Sequence, residues 1–426
     1  MRNIADIAIL AMKDAGADKA QVTITRAEKT ELNIDTGDLK LMRTTFSNSA
    51  ALTAIKDNKK GTSQLGSWDL EAIKAAAREA VEMAEAGQAD EAYDIALLED
   101  GANEFKAGLD KPEDCLLPLT AAMCERVKKD FPKISYSYFV AFNKTEKLVA
   151  NTNGVSLSVT DGRYEISSEF SAKDGEVVTS FNYVSGELST LPDDLIEALD
   201  FRAHLEQSVK ELGAKPAGEK FTGEVIFQPE CLFELLEQYA GCFLTDAALI
   251  GGTSMLKDKF GEKVTSENVI IRAIPLNNDI CRTFVTNDGF RTENMDIIKN
   301  GILENFLLTQ YGANKTSKKR AKGNIPNIEM DAGDKTLDEI ISETKRGLLI
   351  GGHISGGSPS ENGTFSGVAK NSFLIEDGKI TRPVQETMIS GNVLDIFSNV
   401  TAISKERRNN GAAILPWVKS GGITVS

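Results

Sequence analysis

Imidazole is the scarcest reactive group in this chain: among 426 residues only His204 and His353 are histidines. Two histidines cannot build a histidine-rich zinc centre, and no HExxH run is present. His204 falls mid-helix among Phe201, Leu205 and Val209 and reads as a packed structural residue. His353 lies in GGHISGGSPSENG, a setting that fits a glycine-lined cleft, although a lone loop histidine is more often structural than reactive. The many serines leave a Ser-His-Asp arrangement open in principle, but no G-x-S-x-G elbow supports one. The glycines at 351–367 lack the Gly-Lys-Ser/Thr ending and the strand–loop–helix order of a phosphate loop.

A second candidate is CLFELLEQYAGCF, residues 231–243, set between the strand-like GEVIFQP and a glycine-rich GGTS. Leu232, Leu235, Leu236, Tyr239 and Phe243 have the spacing of one buried helical face. Glu234, Glu237, Gln238 and Gly241 share the other, and the two glutamates read as a solvated surface rather than a general base. Cys242 reads as a small core residue near the helix end. Five scattered cysteines, odd in number and without CxxC pairs, fit a reducing cytoplasm better than a disulfide framework.

The elements that must position these groups are those of a globular protein, with 41% hydrophobic and 26% charged residues. A net charge of -15 argues against nucleic acid, whose binding rests on neutralising phosphates. The local exception, KTSKKRAK at 315–322, has no interleaved aromatics and reads as a solvated basic turn. No run approaches a membrane span, and the first 16 residues read as an amphipathic helix rather than a leader.

The length and the order of elements predict an α+β chain of three parts. Residues 1–105 form an N-terminal domain of helices on an antiparallel sheet, with a turn at Asp35-Thr36-Gly37 and Ser67 as N-cap of a long helix. Residues 106–215 form a β-meander with flanking helices, its hairpins marked by Asn153-Gly154, Asp161-Gly162 and Asp174-Gly175, and its last helix capped by Asp193. The stretch 214–220, AKPAGEK, is the clearest boundary. Residues 216–426 form a strand-rich, barrel-like C-terminal domain that carries the helix 231–243, with turns at 287–289, Asn300-Gly301 and Asp377-Gly378.

Four stretches, at 252–269, 286–315 and 362–392 and the closing LPWVKSGGITVS, resemble the TldD/PmbA family, also called modulators of DNA gyrase. TldD-type members are zinc peptidases with a helical HExxxH motif and a further ligand near the C-terminus. PmbA-type members, also named TldE, lack the motif and assemble with TldD. Anchoring a gap-free match on Gly252-Thr253-Ser254 puts Glu237, Gln238 and Cys242 in the places of histidine, glutamate and histidine. The resemblance therefore points to the PmbA/TldE side, with neither catalytic residues nor metal in this chain and zinc confined to a TldD-type partner. It implies a non-catalytic subunit, in a homo- or hetero-oligomer, that helps degrade unfolded peptide in the cytoplasm. Two alternatives stay open: a stand-alone homo-oligomeric peptide-binding protein, and a metal-independent hydrolase using His353 or a cysteine.

Overall fold

The computed structural model describes residues 1–109, 115–323, 327–357, 359–385 and 387–426. Ser358 of the glycine-rich run and Glu386 of the 362–392 stretch lie outside the described residues. The chain opens with α1 (Arg2–Asp14), β1 (Lys19–Asp35), β2 (Asp38–Lys56), β3 (Lys59–Leu65) and α2 (Leu70–Ala86). Thr36 and Gly37 both take positive φ, the geometry that matches the twist of a two-residue hairpin, and Asp57-Asn58 repeats it between β2 and β3. The cap of α2 is Asp69, whose carboxylate accepts from Ala72 N; Ser67 sits two residues upstream and accepts from Asp69 N at 3.1 Å. Small and aliphatic residues such as Ala5, Ala8, Ala77 and Ala80 let both helices lie close on Val22, Ile24 and Leu52 of the sheet.

Next come β4 (Glu104–Ala107), α3 (Leu116–Asp130), β5 (Ile134–Asn151), β6 (Ser156–Asp174), β7 (Val177–Val178), β8 (Asn182–Leu188) and α4 (Phe201–Lys210). β1 pairs antiparallel with β5 from Gln21↔Asn151 to Asp35↔Ser137, so one sheet crosses the expected division at 105/106. The order is β3-β2-β1-β5-β6, with β4 and β8 both paired to β6. The expected turn at Asp161-Gly162 is not one. Both residues continue β6, Gly162 paired with Lys144. A Cβ on Gly162 would stand 2.3 Å from Gly108 O, so the glycine serves a close backbone approach rather than a reversal. Two further expectations are corrected near 195. Asp194, not Asp193, caps the helical turn by accepting from Ile196 N, and positive φ at Leu199 and Asp200 breaks the helix before α4.

The C-terminal part begins with β9 (Lys215–Pro216), β10 (Phe221–Phe227) and α5 (Pro229–Phe243). The 214–220 stretch is fastened rather than free: Lys215 and Pro216 pair with Val384 and Gln385, and Ala217 is buried. The strand Ala413–Val425 bonds to β10, Ile328–Met330, Thr387–Asn392 and Val400–Asn409, so two branches of a large sheet share it. Over this sheet α5 buries Leu232, Leu235, Leu236, Tyr239 and Phe243, each contributing about 1.5–3 kcal/mol through lost apolar exposure. The Tyr239 ring meets Phe243 and Phe397 edge-on at 5.3 and 5.1 Å.

The basic stretch 315–322 is not simply a solvated turn, because the acidic segment before β4 lies across it. Lys315 pairs with Asp90 at 2.7 Å, Arg320 stacks on Phe290 and approaches Glu99 at 3.6 Å, and Lys322 pairs with Glu293. Arg291 extends the clasp, donating to the carbonyls of Glu99 and Ala102 and to Asn103 Oδ1 at 2.6–2.7 Å. These contacts fix the N-terminal sheet against the C-terminal part.

Candidate functional site

Where the two parts meet, a cavity of about 220 Å³ opens between β8, α4, α5 and the loop 351–353. Its α5 wall is Glu230, Phe233, Glu234 and Glu237. Positions i, i+3, i+4 and i+7 share one helical face, opposite the buried leucines. His204 and His353, the only histidines in the chain, both line this cavity.

The floor is an ion-paired cluster. Arg408 reaches both oxygens of Glu230 at 3.2 and 3.1 Å and Asp200 at 2.9 Å, while His204 Nε2 lies 3.4 Å from Glu230 Oε1. Burial opposes the charge on Glu230, but Arg408 and then His204 outweigh it and hold the carboxyl down to about 2. One turn along, Glu234 accepts from the Tyr183 hydroxyl at 2.6 Å, yet burial still raises its pKa. The expectation of a solvated glutamate pair therefore fails for Glu234, because β8 folds over the helix and supplies a donor. Glu237 stays open to solvent on one side, with partial burial raising its pKa.

His353 packs its ring 4.7 Å from that of Tyr183, and its Nε2 lies 3.0 Å from Ser355 Oγ. Burial, then the charge of Lys370, lowers its pKa and favours neutral imidazole. Behind the wall, Glu211 is buried and accepts from Asn182 Nδ2 at 3.0 Å. Burial pushes its pKa up to about 7, against the weaker pull of Asn182, the Asn371 backbone and Lys370.

The three positions matched to the zinc motif do not converge. α5 is a continuous helix from Pro229 to Phe243. Glu237 and Cys242 nevertheless meet different surroundings along it. Glu237 lines the cavity, whereas Cys242 Sγ lies 3.6 Å from Ser360 O, and burial raises its thiol pKa. Gln238 Oε1 is buried without a hydrogen-bond partner among the described residues. An amide, a protonated thiol and a carboxylate do not make the three-ligand set that catalytic zinc needs. Among the described residues no group of three or more His, Cys, Asp or Glu is placed to hold a metal ion. Zinc does not fit the residues present.

Tyr183, Glu211, Glu230 and Arg408 are among the site residues that sequence reasoning missed. Arg408 stands 178 positions from Glu230, and no local spacing announces such a pair.

The C-terminal domain of the PmbA/TldA metallopeptidases matches residues 220–426, and their domain 1 matches residues 20–84. The protein named Metalloprotease PmbA in Escherichia coli O157:H7 is 24% identical over 435 residues, covering 97% of this chain and 94% of that protein. A metalloprotease of Methanothermobacter thermautotrophicus is 27% identical over 274 residues, which take in 61% of this chain and 60% of that relative. The crystal structure of TldE from Thermococcus kodakarensis superposes with a TM-score of 0.82 at 21% identity, over 99% of this chain and all of that one. That likeness is one of fold.

Proposed function

The chain belongs to the PmbA/TldD family, and from that premise we propose that it is the TldE-type, non-catalytic subunit of a metallopeptidase complex. The observation that carries this reading is α5 itself: the helix is complete and well packed, and on the gap-free match anchored at Gly252-Thr253-Ser254 it presents Gln238 and Cys242 in place of a glutamate and a histidine. Gln238 cannot take a proton from a metal-bound water. The zinc and the bond cleavage then belong to a TldD-type partner, and this chain supplies the facing wall of a shared chamber for unfolded peptide. Five free cysteines agree with a cytoplasmic setting. Among the described residues no helix is long and apolar enough to cross a membrane. Sedimentation of an equimolar mixture with a TldD-type chain tests the assembly: a new species containing both chains supports it, and two independent boundaries oppose it.

A second reading, peptide binding by the chain alone, is favoured by the edge of β8. Among the described residues β8 pairs as a strand only with β6, and Glu187 N points the other way to Asn410 O at 3.0 Å. By strand alternation the main-chain groups of Tyr183 and Ser185 point the same way, into the cavity that both residues line. An extended peptide could add there as a strand, through backbone bonds that carry little sequence preference.

A further inference from the structure

A second cavity, of about 360 Å³, lies on the sheet face that points away from α1 and α2. Lys147, Thr145 and Asn143 alternate along β5 and project to one face, directly across from Val159, Asp161 and Arg163 on β6. The segment from Arg282 to Val285 of the C-terminal part forms the opposite wall.

The charges within it are unequally satisfied. Arg163 is fully occupied: it bonds Asp161, reaches Glu187 at 2.9 Å and donates to Arg282 O at 2.8 Å. Both carboxylates of the cavity are therefore already paired. Among the described residues the Arg282 guanidinium makes only a 3.4 Å contact to Lys106 O and lies 5.1 Å from the Phe284 ring centre. Lys147 has neither a hydrogen bond nor an ion pair among the described residues, although it is partly buried. Burial alone lowers its pKa, with no charged neighbour to offset it. Three cations face two carboxylates here, in a chain whose net charge is -15. A partly buried ammonium without a partner is costly, and a bound anion would relieve that cost.

We infer that this cavity is a binding site for a carboxylate carried on an apolar body, with Lys147 as its principal charge partner and Arg282 as the second. One uncompensated positive charge matches a monoanion better than a phosphate dianion. The hydroxyls of Thr145 and Thr283 stand among the lining groups as further donors. The walls suit an apolar body: Phe284 and Val285 are buried, and Phe284 stacks on Phe105 with ring centres 5.0 Å apart. The free carboxylate of a peptide ending in an apolar residue and a small aromatic or aliphatic acid share this chemistry.

The test is calorimetric titration of the full chain with N-acetylphenylalanine, N-acetylphenylalaninamide, inorganic phosphate, and a tripeptide with a free apolar C-terminus. The acid should bind at least about tenfold more tightly than its amide, the worth of a charge-assisted contact. The tripeptide binding as the acid does would identify peptide ends as the source; the acid binding alone would identify a free small acid. Lys147→Met, of similar volume, should abolish the preference for acid over amide. Equal binding of acid and amide by the unaltered chain, an unchanged preference in folded Lys147→Met, or binding of phosphate alone would each overturn the assignment. The acid–amide comparison needs no variant, so poor folding of Lys147→Met would not rescue it.

Discussion

The hydroxyl of Tyr183 donates to Glu234 Oε1 across 2.6 Å, tying the outer strand of the N-terminal sheet to the helix Pro229–Phe243. Tyr183 stands 51 positions before Glu234, on a strand whose free edge forms one wall of the cavity, while Glu234 stands on the opposite wall. Tyr183→Phe keeps the ring against His353 and removes only the donor. The carboxyl then loses its one compensating side-chain bond, so its pKa should rise further, and the fold should lose about 1–2 kcal/mol. Carbon-detected NMR titration of Glu234 with urea unfolding reads both; an unmoved titration would show that the bond is not made in solution.

Glu211 sets a pH dependence of its own. In the folded chain it keeps its proton up to about pH 7, against an ordinary value of 4.5. The folded state therefore holds more protons than the unfolded chain between those values. Stability is full below 4.5 and falls as pH rises through 7. Glu211→Gln keeps an acceptor for Asn182 and removes the titration. It should flatten that decline, with a gain of up to about 3 kcal/mol over the natural chain at pH 8. Melting curves from pH 5 to 8 measure it, and parallel declines in both proteins would refute the assignment.

Glu230 works in the opposite sense. Its carboxyl is depressed from 4.5 to about 2, so its stabilising pairing is complete above 4.5 and disappears as pH falls toward 2. Glu230→Gln should remove acid sensitivity in that window. Arg408→Ala leaves Glu230 and Asp200 without their guanidinium and should cost about 2 kcal/mol at pH 7, between the values for exposed and buried pairs. Acid unfolding followed by circular dichroism distinguishes this from a general loss of stability.

If extended peptide adds to the free edge of β8, the main-chain donor of Ser185 takes part. Ser185→Pro removes that donor, whereas Ser185→Ala keeps it. Binding of an unfolded fluorescent peptide should weaken about tenfold in the first variant and be unchanged in the second. Equal loss in both would assign the contact to the side chain; no loss in either would move the peptide elsewhere.

What the sequence discloses about this molecule follows the range of the forces involved. Thr36-Gly37, Asn300-Gly301 and Asp377-Gly378 are legible as turns because positive φ at both residues is a local property. Asp161-Gly162 has the same composition but lies within a strand, since its glycine answers to Gly108, more than fifty residues away. The buried face of α5 is equally legible, because Leu232, Leu235, Leu236, Tyr239 and Phe243 repeat with the helical period. Its other face is not. Whether Glu234 meets water or a tyrosine depends on where β8 lies, and β8 is placed by pairing with β6. The motif positions Glu237, Gln238 and Cys242 can be aligned by counting residues, but only the fold shows that the first lines the cavity while the last lies against Ser360.

On the proposed function, catalysis and zinc reside in a partner and not on α5. The most direct measurement is zinc content and cleavage of an unfolded peptide for this chain alone, for a TldD-type chain alone, and for the two combined. This chain alone should hold no stoichiometric zinc and cleave nothing. The mixture should show chelator-sensitive cleavage above that of the TldD-type chain alone, unchanged by Gln238→Ala. One equivalent of zinc in the isolated chain, with chelator-sensitive cleavage that Gln238→Ala or Cys242→Ala abolishes, would contradict it.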